Sequence, residues 1–173
     1  HGYNSEHGIP LASRMIGNVH KLNAITVPIA PVANFLLSKY PVRYLNEKLF
    51  GFDRRRKLPT IVSGTFENWF KQHISNTTGS RGKIVLFHDT FMNFNNPESG
   101  IGAIRLLEAL GYQIELADRK CCGRPMISKG LLDQAADNAR HNIDILHEYV
   151  KAGTKIVGCE SSCIMTLQDE YPD

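Results

Sequence analysis

From residue 83 onward three short apolar runs alternate with three stretches of helical periodicity, which leaves few folds open. Lys83-Ile84-Val85-Leu86-Phe87, Gln113-Ile114-Glu115-Leu116-Ala117 and Thr154-Lys155-Ile156-Val157-Gly158 read as short buried strands. Between the first two, residues 99–110 place Ile101, Ile104, Leu107 and Leu110 on one helical face, stopped by Gly111. Residues 128–151 form a long helix with Leu132, Ala135, Ala136, Ala139, Ile143, Leu146 and Val150 spaced by three and four, closed by Gly153. A last helix is expected over 162–170. The order β-α-β-α-β-α predicts parallel strands joined by right-handed crossovers, a doubly wound parallel α/β sheet.

The first half has a different texture. Pro28, Pro31 and Pro41 each forbid a helix interior, so short helices are expected at 11–23, 31–39 and 42–50. A fourth, 65–73, starts at Thr65 as N-cap and carries Phe66, Trp69 and Phe70 as an apolar stripe. Short helices without a sheet layer make a poor core of their own, so residues 1–82 read as a mostly helical arm docked on other parts. Its border with the α/β unit at 83–173 is the small, polar segment Asn76-Thr77-Thr78-Gly79-Ser80-Arg81-Gly82. Residues 1–82 hold 11 Lys and Arg against 4 Asp and Glu, while residues 83–173 hold 9 against 13. The run Arg54-Arg55-Arg56-Lys57 reads first as a solvated loop and second as contact with an anionic surface; nucleic acid is disfavoured as a partner. The polar opening His1 to His7 lacks the order of an export signal, and no apolar run approaches ~20 residues. A cytoplasmic location is expected, with peripheral contact at the inner face of the membrane as the variant that the basic run permits. Beginning at His1 and ending at Asp173, the sequence is expected to be a piece of something longer.

Open parallel sheets build sites beyond the carboxyl ends of their strands. All four cysteines fall in two of those loops: Cys121 and Cys122 after the second strand, Cys159 and Cys163 after the third. A disulfide framework fits poorly, because the chain is long enough to bury a core and shows no export signal. Metal or cluster ligation explains the gathering best, with buried structural thiols and a thiol relay as the other readings. Adjacent Cys121 and Cys122 suit a single tetrahedral zinc ion badly and a polynuclear cluster better. Gly123 permits the tight turn a close-lying cluster needs. The segment Cys159-Glu-Ser-Ser-Cys163 ends at an expected helix start, whose free N–H groups favour thiolate.

Cys121-Cys122-Gly123-Arg124-Pro125, a long helix and then Val157-Gly158-Cys159-Glu160-Ser161-Ser162-Cys163 resemble the cysteine-rich CCG domain. That family includes heterodisulfide reductase B subunits, the C subunit of anaerobic glycerol-3-phosphate dehydrogenase and iron–sulfur subunits of lactate or glycolate oxidation. The sequence looks most like part of the large fused FAD-linked oxidases, including a segment like Arg56-Lys57-Leu58-Pro59 followed by Thr65-Phe66-x-x-Trp69-Phe70. The resemblance implies that residues 83–173 are the first half of a two-repeat CCG domain. It also implies a ferredoxin-like module before the arm, a second CCG repeat after it, FAD on a separate flavin domain, and an electron acceptor.

Carried over residue by residue, Cys121, Cys122 and Cys163 match the family pattern, whereas Thr90 stands at the cysteine position after the first strand and Glu160 at the first position of the last pair. Cys159 is one residue out of register. The ligand set implied is Cys121, Cys122 and Cys163, with Cys159 and the oxygens of Asp89 and Glu160 as further candidates; His88 nearby reads as structural. The cofactor implied is an iron–sulfur cluster, with zinc or an empty site as alternatives. The expected role is electron transfer within an FAD-linked iron–sulfur oxidoreductase acting on a 2-hydroxy acid such as D-lactate or glycolate, without turnover by this piece alone. The alternative is a non-redox half-domain that docks partner modules. Gly100-Ile-Gly102 lacks a third glycine for nucleotide binding and reads as a tight helix entry.

Overall fold

Three parallel strands, β1 (Lys83–Leu86), β2 (Gln113–Leu116) and β3 (Lys155–Val157), form a sheet of order β2-β1-β3. This is a computed structural model, and it describes residues 8–75 and 77–172. The polar opening 1–7, Asn76 of the expected border segment and Asp173 lie outside the described residues. Val85 of β1 pairs with Glu115 on one side and Ile156 on the other. As the central strand, β1 is apolar along nearly its whole length and buried on both faces. Val85 and Phe87 face one cluster, packed by Leu146 of α9 (Leu132–Lys151). Leu86 faces the other, packed by Ile101 and Ile104 of α7 (Pro97–Ala109). The crossover helices therefore cover opposite faces, and the sheet is doubly wound as expected.

The helices depart from expectation in instructive places. The long helix expected at 128–151 is α9, which starts four residues later, at Leu132; a separate short helix, α8 (Arg124–Ser128), precedes it across a turn in which Gly130 takes φ +76°. Glycine alone makes that left-handed turn cheap, and the apolar spacing begins only beyond it, at Leu132. A five-residue helix, α6 (Thr90–Phe94), follows β1 and is too short to show periodicity; Asp89 caps it by accepting from the N–H groups of Phe91 and Met92. The last helix is α10 (Ser161–Met165), continued by a wider π-type turn over Thr166–Glu170.

In the arm, the helix expected at 11–23 is divided at Asn18 into α1 (Leu11–Gly17) and α2 (Val19–Thr26). A short 3₁₀ turn (Val27–Ile29) leads to α3 (Ala30–Ser38) and α4 (Tyr40–Phe50), with Pro31 and Pro41 in the first turns where a missing N–H costs nothing. Ile25, Phe35, Leu45 and Leu49 lie exposed, so these helices have little core of their own. Among the described residues no helix is long and apolar enough to cross a membrane. The basic run forms an exposed loop in which Arg55 pairs with Asp53 and Arg54 with Glu47.

The arm's last helix, α5 (Phe66–Gln72), is different. Thr65 caps it by accepting from the Asn68 N–H, and Phe66 is fully buried among Leu86, Met92, Ile101 and Ile104. Trp69 and Phe70 pack beside it. Gly100 and Gly102 do not form a helix entry; both lie inside α7, and Gly100 is where the Phe66 ring lands. A Cβ there would fall 2.6 Å from that ring and 2.7 Å from the Met92 sulfur. Gly100→Ala is therefore expected to destabilise the protein by about 1–3 kcal/mol in urea unfolding. Gly102→Ala, with nothing within 4 Å of its added carbon, is expected to gain up to about 1 kcal/mol.

Candidate functional site

Parallel pairing of β1 with both neighbours brings the loops after all three strands to one rim of the sheet. There the sulfur atoms of Cys122 and Cys163 lie 3.0 Å apart, across 41 residues of chain. Cys121, Cys122 and Cys163 are 4%, 2% and 9% exposed and all are free thiols. Cys159, by contrast, is exposed. Gly123, directly after the pair, takes φ +89° and turns the chain into α8, and a Cβ there would press on Ala135 at 3.4 Å. Left-handed backbone and close approach both favour glycine at that point.

The loop carrying Cys121 and Cys122 is held from behind by two asparagines one helical turn apart on the buried face of α9. Asn142, wholly buried, accepts from the Lys120 N–H at 2.8 Å and donates to the Tyr171 hydroxyl at 2.8 Å. Tyr171 in turn donates to the Cys122 carbonyl at 3.1 Å, and Asn138 donates to the Cys121 carbonyl at 3.1 Å. Arg124 pairs with Glu170 and ties α8 to the same terminal turn. Sequence motifs alone do not single out these residues. Their signal is nonetheless present as two amides at i and i+4 in an apolar stripe, where a polar side chain must find a partner.

The oxygen candidates have other work. Asp89 caps α6, and Glu160 caps α10 by accepting from the Ser162 N–H and hydroxyl. Thr90 is buried near Cys121 with its hydroxyl oxygen otherwise unpartnered. His88 is buried against Phe66 and bonds Glu67 at 2.7 Å. Burial drives its pKa down, so the ring stays neutral and donates to the carboxylate; that hydrogen bond holds Glu67 below the usual range.

Burial and sulfur contacts together hold the thiols of Cys121 and Cys122 in the protonated state. Contact with Cys122 and burial drive the Cys121 thiol far above the usual range. At Cys122 the contact with Cys121 pulls down, but the contact with Cys163 and burial outweigh it and push the thiol up to about 12. Burial and the charge of Asp89 raise Cys159 as well. A cation among the sulfurs inverts this balance, because a coordinated thiol is deprotonated. The donor set thus has the soft chemistry of a thiolate-bound metal or cluster. Its spacing is closed: thiolates around one zinc ion stand about 3.8 Å apart, so Cys122 and Cys163 must separate by less than about 1 Å to share an ion. Among the described residues no group of three or more His, Cys, Asp or Glu is already arranged around a metal position. A cleft of about 500 Å³, lined by His20, Lys21, Glu67, Arg119, Lys120 and Cys121 among others, leads to the site between α2 and the cysteine loop.

A family model for the cysteine-rich domain, CCG, matches residues 85–168. The chain is 32% identical over 165 residues to the C subunit of the anaerobic glycerol-3-phosphate dehydrogenase of Escherichia coli strain K12, covering 94% of this chain and 42% of that protein. It is 29% identical over 127 residues to the B subunit of the fumarate reductase (CoM/CoB) of Methanothermobacter marburgensis, 69% of this chain and 25% of that protein. Against the D-2-hydroxyglutarate dehydrogenase of Escherichia coli strain K12 it is 23% identical over 180 residues, 98% of this chain and 17% of that protein. The chain thus spans less than half the length of these curated relatives. No solved structure matches it significantly.

Asn142→Ala leaves the Lys120 N–H and the Tyr171 hydroxyl short of a buried partner, and a loss of about 1–3 kcal/mol is expected. In a timed alkylation of the wild type, Cys159 should react first and the three buried thiols only slowly. In the Asn142 variant Cys122 should join the fast class. Equal rates at all four cysteines would show that the loop is not held as described.

Proposed function

Because the chain belongs, over residues 85–168, to the cysteine-rich CCG domain family, we propose that it is an electron-transfer module of a larger FAD-linked iron–sulfur oxidoreductase. Cys121, Cys122 and Cys163 ligate the iron–sulfur centre, and Gly123, left-handed and packed on Ala135, makes the turn that presents the pair. The observation that carries this reading is the meeting of buried Cys122 and Cys163 sulfurs from two separate loops at one sheet rim. Three thiols leave one iron of a four-iron cluster without a cysteine, so the remaining ligand comes from Thr90, from Cys159 or from the second CCG repeat. The relatives' names support the setting, since they denote parts of dehydrogenases and a reductase.

In this reading a flavin domain of the same assembly takes two electrons from a small anionic secondary alcohol. Such a class embraces the substrates named for two relatives, and the 2-hydroxy acids expected from the sequence belong to it. The ferredoxin-like module and the CCG centre carry the electrons onward, one at a time, to an acceptor. This chain's own residues hold the centre, exclude water from it with Phe87, Leu146 and Ile164, and fix its loop through Asn138, Asn142 and Tyr171.

A second reading, a half-domain with a zinc or vestigial site that only docks partner modules, is favoured by the absence of a ready-made metal position among the described residues. Cys122→Ser in the full-length protein separates the two. Loss of a ligand should abolish electron flow downstream of the flavin while flavin reduction by substrate continues, and should lower iron and acid-labile sulfide content. A docking scaffold should keep its downstream rate. Wild-type protein prepared without oxygen and containing neither iron nor sulfide beyond its ferredoxin-type clusters would falsify the cluster reading.

A further inference from the structure

Arg119 lies two residues before Cys121, in the same loop, and holds its guanidinium over the Phe87 ring at 5.6 Å from the centroid. Its Nε and Nη2 atoms are buried without a hydrogen-bond partner. These two nitrogens share one edge of the planar fork, the edge that grips an anion with two parallel N–H donors. The carboxylates nearby, Glu67 and Asp89, act on Arg119 through their charge and make no hydrogen bond to these two nitrogens. Glu67 of α5 accepts from His88 and Asn93, and Asp89 spends an oxygen on the start of α6. His20 and Lys21 of α2 and Lys120 of the loop line the same cleft and supply no negative charge. Buried, charged donors left without a hydrogen bond are unfavourable, and these two lack only an acceptor. The remaining ionisable groups facing Arg119 are the thiols of Cys121 and Cys163.

We infer that Arg119 is the built-in counter-charge of the cysteine centre, its free Nε and Nη2 edge serving the thiolate sulfur that appears when Cys121 and Cys163 ligate. The inference rests on the reading above, that these cysteines hold a thiolate-bound centre. Two consequences follow. Positive charge and donors at cluster sulfur favour the reduced state, so Arg119 raises the reduction potential. The effect of Arg119 on stability also changes sign: with two buried donors unsatisfied in the metal-free protein it is a liability, and with them satisfied in the loaded protein an asset.

The full-length protein is purified without oxygen as wild type, Arg119→Met and Arg119→Lys, and each is studied loaded and after chelator treatment. Methionine keeps the unbranched stem of the side chain and removes its charge. Arg119→Met is expected to melt higher than wild type when metal-free and lower when loaded. Its one-electron equilibrium, followed by redox titration with EPR detection, should shift at least tenfold toward the oxidised centre, about 59 mV lower in potential. Arg119→Lys should shift it less, because one ammonium retains the charge and loses the two-donor edge. Lower melting in both states would make Arg119 a structural prop on Phe87 and overturn the inference. An unchanged potential in Arg119→Met would overturn it too, as would failure of that variant to fold, since losing two unsatisfied donors should not harm the metal-free chain. If the cysteine centre holds no metal in the wild type, the underlying ligand reading fails; if it does and Arg119→Met changes nothing, only the role of Arg119 fails.

Discussion

The contact between Cys122 and Cys163 is the constraint on which the other features of the rim turn. Two thiols from loops 41 residues apart meet inside the van der Waals separation of sulfur, with Cys121 beside them and Phe87 and Leu146 closing the surroundings. Protonated, such groups pack as small hydrophobes and their burial is inexpensive. Ionised, each opposes the others in a medium that screens weakly, which is why the Cys121 and Cys122 thiols stand so far above the ordinary range. The site is therefore stable only at two extremes, fully protonated and collapsed, or ionised around positive charge.

The support for the loop is independent of that choice. Asn138, Asn142 and Tyr171 bind its backbone, not its sulfurs: the carbonyls of Cys121 and Cys122 and the N–H of Lys120 are all satisfied from behind. Backbone held in this way leaves the side chains free to move: less than about 1 Å would let Cys122 and Cys163 share one ion, and a cluster holding them on different irons would need a wider opening. Preorganisation of a ligand loop by partners that do not touch the metal keeps the cost of ordering out of the binding step.

The strands, the doubly wound order and the gathering of the cysteines are legible in the sequence because each depends on short-range pattern. Apolar runs flanked by turns mark β1, β2 and β3, and a parallel sheet sends every following loop to one rim. Details set by single residues are less legible. The late start of the long helix, beyond Gly130, and the short helix α8 before it are missed because five residues show no periodicity, and α6 is too short for the same reason. Cys159 and Cys163 look like equal partners in sequence. Yet Cys163 sits in the first turn of α10 and points inward, while Cys159 precedes the helix and stays exposed. Arg119, within Asp118-Arg119-Lys120, belongs to no motif, and only the fold shows that its neighbours leave two donors enclosed.

The arm belongs to this site more than its separate texture suggests. Phe66 of α5 fills the face of the sheet opposite the cysteines, and Glu67, the next residue, holds His88 at the end of β1. On the cysteine side Gly17 of α1 lies against Leu131 and Met126, and α2 walls the cleft that reaches Cys121. Helices with Ile25, Phe35, Leu45 and Leu49 exposed cannot be stable through a core of their own. Of them, α1 and α2 are ordered by docking on α8 and α6, beside the loop that carries the thiols. The arm and the cysteine loop therefore stabilise each other: take away the sheet and the arm has nothing to bury, take away the arm and Cys121 and Arg119 lose the wall that keeps water from them.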